Sequence, residues 1–382
     1  MTDEPPRHLT SATADLDPPL LALDSGALDA NLRDLVRRAG GTPIRIATKS
    51  VRVRGVVERA LAADGISGVM AYSLREALWL SECGMDDILV GYPTTDRGAL
   101  AELIQNDRAC RRITLMVDSP THLDLIDAAG PLGVPPRVCL DVDASLRVGP
   151  VHIGVRRSPL REPSDVAALA RTAVQRGVDV VGVMFYEAQI AGLPDSGRAV
   201  RWMKKRSAAE LAYRRRAVVD AVSEVAGALE IVNSGGTGSL EVSAADPAVT
   251  EVTAGSGLFA PTLFDRYDAF TPRPALFYAL PVVRTPTKTI ATAFSGGYVA
   301  SGPAGASRVP TLAGRGTLLR TEGVGEVQTP VAKSGAVVGD RLWFRHAKAG
   351  EVCERFTEVH VVSEDDTRTT MPTYRGEGRA FG

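Results

Sequence analysis

TPIRIATKS, residues 42 to 50, is an alternating apolar run that stops on a lysine with a hydroxyl residue on either side. An ammonium is costly to bury, so a strand that ends on Lys49 must deliver the amine either to water or to a partner. Seven more short β-branched runs follow: GVMAYS, DILVGY, ITLMVD, VCLDVD, VVGVMFY, EIVNSG and VTEVTAG. Amphipathic segments lie around and between them. SGALDANLRDLVRRAG precedes the first run, with Leu28, Leu32 and Leu35 on one face and Gly40 as the stop. SLREALWLSECG follows the second and sets Ser73 three residues before Glu76, the spacing of a reciprocal capping box. Parallel crossovers through such helices build a parallel sheet, and eight units predict an α/β fold closed into a (β/α)8 TIM barrel.

Two prolines in TPRPAL, residues 271 to 276, break both patterns. Beyond them FYALPVVRT, KTIATAF, GGYVAS, RLWFRH and FTEVHVV read as strands of a second, C-terminal β domain. A chain of 382 residues accommodates both domains. The expected division is a flexible leader at 1–22, with a share in the β domain left open, a barrel at 23–270 and the β domain at 271–382. The long basic stretch RAVRWMKKRSAAELAYRRRAVVDAVSEVAGAL is expected to be a solvated outer helix without a function of its own.

Lys plus Arg (44) nearly balances Asp plus Glu (45), and no basic block alternates with aromatics, so nucleic acid is not an expected partner. MTDEPPRHLTSATADLDPP has early acids and prolines and no apolar core, which fits neither a signal peptide nor a membrane span. The four cysteines are scattered without CxxC spacing, so a reducing, cytoplasmic setting is expected.

In such a barrel the site lies at the C-terminal ends of the strands, with phosphate commonly at the loops after strands seven and eight. Strand seven runs into NSGGTGSLE (233–241) and strand eight into AGSG (254–257). Gly235, Gly236 and Gly238 could turn backbone N–H groups toward a phosphate, Ser234 and Thr237 add hydroxyls, and Ser239 opens a helical pattern. Lys49, on the neighbouring first strand, then lies beside both loops. It is either a snorkelling strand-end lysine or an amine of lowered pKa that condenses with an aldehyde. Pyridoxal 5'-phosphate carries both an aldehyde and a phosphate. After strand five, DVDASLRVG offers Asp141, Asp143 and Arg147, either an internal ion pair or a cation for the pyridine nitrogen. After strand six, Tyr186 and Gln189 reach the same mouth, and Tyr186 could equally be a core ring. FRHAKAGEVCE in the second domain holds His346, Lys348, Glu351 and Cys353, in which a metal site is one of several turns the spacing allows.

Taken in order, TPIRIATKS, DVDASLRVG, NSGGTGS and TAGSG resemble the fold-type III, alanine racemase-like pyridoxal phosphate enzymes, and among them the D-threonine aldolase and D-serine dehydratase group. HAKAGE and the closing PTYRGEG resemble its bacterial amino acid deaminase/aldolase branch. The resemblance implies that Lys49 is the Schiff-base lysine, that Ser234, Gly235, Gly236, Thr237, Gly255 and Ser256 hold the phosphate, that Arg147 faces the pyridine nitrogen and that Tyr186 lies by the cofactor. It implies a cytoplasmic head-to-tail homodimer acting on a small-molecule D-amino acid. Relatives bind a divalent metal through a His and, two residues on, a Cys or Asp. Here that place is Lys348, so either Glu351 or Cys353 joins His346 as ligand, or Lys348 supplies a fixed charge to the substrate hydroxyl.

The implied activity is that of a lyase on D-3-hydroxy amino acids. With His346 taking the hydroxyl proton the outcome is aldol cleavage, and with Lys49 taking the Cα proton it is deamination. Three alternatives stand beside it: an amino acid racemase, a non-catalytic pyridoxal phosphate-binding protein, and a barrel that binds some other phosphorylated metabolite.

Overall fold

The computed structural model describes residues 4–303 and 305–381. They divide into two compact units. One comprises residues 35–48 and 60–254 together with Phe381, and the other comprises the described residues of 1–34, 49–59 and 255–380.

The first unit is the expected barrel. Its strands are β1 (Ile44–Ala47), β2 (Ile66–Ala71), β3 (Ile88–Val90), β4 (Ile113–Val117), β5 (Arg137–Asp141), β6 (Asp179–Phe185), β7 (Ile231–Ser234) and β8 (Glu251–Ala254). All pair in parallel and close in the order β7-β8-β1-β2-β3-β4-β5-β6. Every residue of β1, β3, β4, β7 and β8 is buried, as parallel strands covered on both faces require. Leu89, Met116, Cys139, Val181, Met184 and Ile231 pack into one apolar cluster. Helix Leu74–Glu82 starts where the sequence put it, with Ser73 Oγ accepting the Glu76 N–H at 3.2 Å. Glu76 in turn accepts from the Tyr72 N–H at 2.7 Å, one residue earlier than a reciprocal box would have it.

Charge closes the N-terminal end of the barrel. Arg45, fully buried on β1, gives Nε to Glu251 Oε1 at 2.7 Å and Nη2 to Glu251 Oε2 at 2.6 Å. It also reaches both carboxylate oxygens of Asp87, at 2.9 and 3.1 Å, and the Asp87 carbonyl at 2.7 Å. Asn233 donates to the same Glu251 at 2.7 Å. Burial opposes the guanidinium charge, but Glu251 and Asp87 outweigh it and hold Arg45 protonated above its ordinary range.

The second unit is mostly β. Its sheet runs Thr317–Leu318, Gln328–Ala332, Ile290–Phe294, Leu276–Thr287, Leu20–Asp24, Glu358–Val362, Arg368–Pro372, and Arg341–Arg345 joins it by pairing with both Leu276–Thr287 and Thr311–Ala313. Residues read from sequence as a leader form helix Arg7–Ala12 and strand Leu20–Asp24. That strand lies between Leu276–Thr287, antiparallel, and Glu358–Val362, parallel. Burial explains its place: Leu9, Leu20, Ala22, Phe277, Ala279 and Trp343 share one core. GGYVAS is not a strand. Ser295 sits at φ 67, which ends the extended run before it, and Tyr298 turns in against Tyr278 with ring centroids 5.1 Å apart. Among the described residues no helix is long and apolar enough to cross a membrane.

Candidate active site

Lys49 is half-buried on the single 3-10 turn Thr48–Ser50 that follows β1 directly. The register pairs Ala254 of β8 with Ile46 of β1, and the next residues along the chain from Ala254 are Gly255 and Ser256. The segment after Lys49 is gripped within its own unit. A Cβ on Gly350 would lie 2.7 Å from the Ser50 carbonyl carbon and oxygen, so only glycine allows this approach. Arg52 pairs with Glu354 at 3.0 Å, Arg54 pairs with Glu377 at 2.7 Å, and the Arg52 carbonyl accepts the Tyr374 N–H at 2.9 Å. A Cβ on Gly376 would fall 1.8 Å from the Thr357 oxygen. HAKAGE and PTYRGEG, far apart in sequence, thus both pack on the stretch that Lys49 opens.

The glycine loop after β7 is held from behind. The sequence reading turned its N–H groups toward a phosphate, but in the structure Gly235 N–H donates to Glu187 Oε2 at 3.1 Å and Gly236 N–H to Ser239 Oγ at 3.1 Å. Ser234 Oγ, also read as a phosphate donor, lies 2.9 Å from Glu187 Oε2 and receives Arg215 Nη2 at 2.8 Å. Arg38 donates to the Thr237 carbonyl at 2.6 Å, which fastens the far side of the loop. Arg215 belongs to helix Arg198–Ala226, the basic stretch expected to be a plain outer helix. Two of that helix's arginines are buried: Arg215, and Arg214, which donates to the Asp143 carbonyl at 2.6 Å.

At the C-terminal ends of β4 and β5 the barrel carries acids. Asp141 is buried, and that burial together with Asp118 raises its carboxyl to about 7, against the opposing pull of Arg157. Burial raises Asp118 as well, with His122 3.2 Å away opposing. Asp143 goes the other way. Burial would raise it, but hydrogen bonds from Ser145 and Arg147 lower it. Arg147 is half-exposed and its Nη2 lies 2.7 Å from Asp143, so the ion pair weighed at the sequence level forms. The cation lying over aromatic rings is Arg157, 5.0 Å from the Tyr186 centroid and 5.7 Å from that of Tyr92. Arg147, Arg157, His152 and Asp143 line a cleft of ≈ 500 Å³. Gln189 is buried and structural, donating to the Ala144 carbonyl at 2.7 Å and to Ser207 at 2.8 Å.

In the β unit His346 is buried and its Nε2 has no hydrogen-bond partner. Burial, reinforced by Arg345, lowers its pKa to about 3, so the ring is neutral. Cys353 is fully buried, with its thiol pushed up to about 12 by burial, and Glu351 accepts the Ser301 N–H at 3.1 Å. Among the described residues no three His, Cys, Asp or Glu side chains are grouped to hold a metal. Sequence reasoning missed Glu187, Arg157 and Arg215. Glu187 stood between Tyr186 and Gln189, and GVRRSP followed the quoted arginine segment, whereas no spacing linked Arg215 to a loop 19 residues later.

Residues 23–262 match the alanine racemase N-terminal domain model. A D-threonine aldolase of Arthrobacter sp is 29% identical over 262 residues, which is 67% of this chain and 64% of that protein. The crystal structure of D-threonine aldolase from Filomicrobium marinum superposes with a TM-score of 0.79 at 20% identity, covering 95% of this chain and 96% of that one. D-threo-3-hydroxyaspartate dehydratase from Delftia sp. HT23 gives 0.73 at 20% identity, covering 94% and 98%. At these identities the two structures establish the shared fold.

Proposed function

From its membership of the alanine racemase N-terminal domain family, to which this chain belongs, we propose that it is a pyridoxal phosphate-dependent lyase acting on D-configured 3-hydroxy amino acids. The observation that carries the reading is Lys49 itself. It lies on the turn directly after β1, which pairs with β8, the strand followed by Gly255 and Ser256, and both C-terminal signature motifs pack on the residues after it. The side chains suit a phosphorylated aldehyde chemically, with an amine for the aldehyde and hydroxyls at Thr237 and Ser256 for the phosphate. Ser234, Gly235 and Gly236 support the loop through the bonds described above. For the ring nitrogen we propose Arg157 in place of Arg147, since Arg157 lies over the Tyr92 and Tyr186 rings while Arg147 is paired to Asp143.

When bound, the cofactor supplies an electron sink for negative charge at the substrate Cα. His346, neutral and with Nε2 unpartnered, takes the substrate hydroxyl proton. The Cα–Cβ bond then breaks to an aldehyde, and Cα gains a proton to give glycine. Deamination instead follows when the Lys49 amine takes the Cα proton and hydroxide leaves Cβ, with hydrolysis to a keto acid and ammonia. Lys348 places positive charge near the hydroxyl, and a second copy of the chain completes the homodimer.

The test is reconstitution with pyridoxal phosphate and a panel of D- and L-threonine, serine and 3-hydroxyaspartate, with and without chelator. D-selective release of aldehyde or keto acid supports the reading, and racemised substrate alone would overturn it. Lys49→Ala is expected to lose both turnover and the visible absorbance of the loaded protein. Stoichiometric metal by elemental analysis, with activity lost on chelation, would sink the role given to Lys348.

A further inference from the structure

Four hydrogen-bond donors converge on one buried carboxylate behind the glycine loop. Glu187 is 1% exposed and lies just past β6. Its Oε2 faces Ser234 Oγ at 2.9 Å and Gly235 N at 3.1 Å, and its Oε1 faces Ser239 Oγ at 3.0 Å and Ser243 Oγ at 2.5 Å. Those four residues span the whole turn from the last residue of β7 into helix Leu240–Ala244. The network continues through Ser234 to Arg215, whose Nη1 is paired with buried Asp246. Beside it Glu187, Arg215, Ser243 and Asp246 line a cavity of ≈ 20 Å³, and Arg215 Nε is buried without a hydrogen-bond partner. That volume suits one water, which would satisfy the remaining guanidinium donor.

We infer that Glu187 is the positioning residue of the glycine loop: its carboxylate fixes the loop's backbone from behind, so that the opposite side is shaped for an anion before any ligand arrives. The chemistry singles out a carboxylate. An ionised carboxylate accepts at both oxygens and can take all four donors, whereas an amide of the same shape has one accepting oxygen, so the hydroxyls facing its nitrogen would have to turn round and accept instead. A fully satisfied buried network specifies one conformation, and a half-satisfied one does not. Because ligand binding to a preformed loop carries no ordering cost, the carboxylate acts on affinity without touching the ligand.

The inference rests on the proposed phosphate site for its ligand but not for its test. Hydrogen exchange of the 233–243 segment is followed in cofactor-free wild type, Glu187→Gln and Ser243→Ala, with circular dichroism as the check on folding. Equilibrium titration with pyridoxal phosphate and with inorganic phosphate follows. Loop exchange is expected to quicken about tenfold in Glu187→Gln and less in Ser243→Ala, with both ligands bound about tenfold more weakly by the former. Unchanged exchange in Glu187→Gln, or tighter anion binding, would overturn the positioning role, the second by making Glu187 a competitor for the loop. If Glu187→Gln does not fold, the ordering of Ser243→Ala against wild type decides the question in the same way. Wild type that binds neither ligand refutes the cofactor reading, while its exchange pattern still judges this one.

Discussion

The two ends of the barrel treat buried charge in opposite ways. At the N-terminal end Arg45 meets Glu251 and Asp87 through five short polar contacts, and Asn233 takes part of the remaining capacity of Glu251. At the C-terminal end Asp141 is buried near Asp118 with its carboxyl raised to about 7, and Arg157 lies on aromatic rings. Paired charge of the first kind fixes a structure. Perturbed charge of the second kind is what a candidate functional site carries. One barrel therefore contains a floor of matched ions and a mouth where the pair of Arg147 with Asp143 sits beside a buried carboxyl whose pKa is raised.

Removing a match should cost most. Arg45→Ala leaves Glu251 buried without its cation and is expected to lose about 3–5 kcal/mol in chemical denaturation. Arg45→Met combined with Glu251→Leu should lose much less, and a double variant as unstable as the single one would break the account of the floor.

At the mouth the sign reverses. A carboxyl whose folded pKa is raised from 3.8 to about 7 contributes stability below its unfolded value and loses it as pH rises through the folded one. Asp141→Asn should therefore gain on the order of 2 kcal/mol relative to wild type at alkaline pH, with the gain vanishing in acid. Thermal melts across that range would show it, and a destabilised Asn variant at high pH would break the comparison.

The β unit offers a second test of the same logic. His346 is depressed from 6.5 to about 3, so its contribution is present above 6.5 and lost as pH falls toward 3. His346→Asn should flatten that acid limb by on the order of 2 kcal/mol, read from denaturation at paired pH values. The smallest effect is expected at Arg147→Ala. Its half-exposed pair with Asp143 is worth about 0.5 kcal/mol or less, so stability should barely move.

Much of this architecture was written in local pattern. All eight barrel runs became strands because each is short, β-branched and bounded by helical periodicity, and burial on both faces left little freedom of placement. Lys49 was legible for a related reason, since a charge at the end of an apolar run is a local anomaly. The strand Leu20–Asp24 was not, because LLALD follows a proline-rich segment and finds its partners more than 250 residues away. Glu187 and Arg215 were hidden for the same physical cause. Their meaning lies in donors brought together by barrel closure, and no periodicity records a contact between a strand end, a turn and the middle of a long helix.

The glycine at 350 has a consequence for recombination between related chains. Because the Ser50 carbonyl leaves no room for even a methyl group at position 350, the segment around the lysine and the first of the C-terminal signatures fit only as a matched pair. A chimera that crosses over between residues 60 and 345 joins the lysine segment of one parent to the signatures of the other. It is expected to yield soluble protein only when the donor of the C-terminal part also lacks a side chain at position 350.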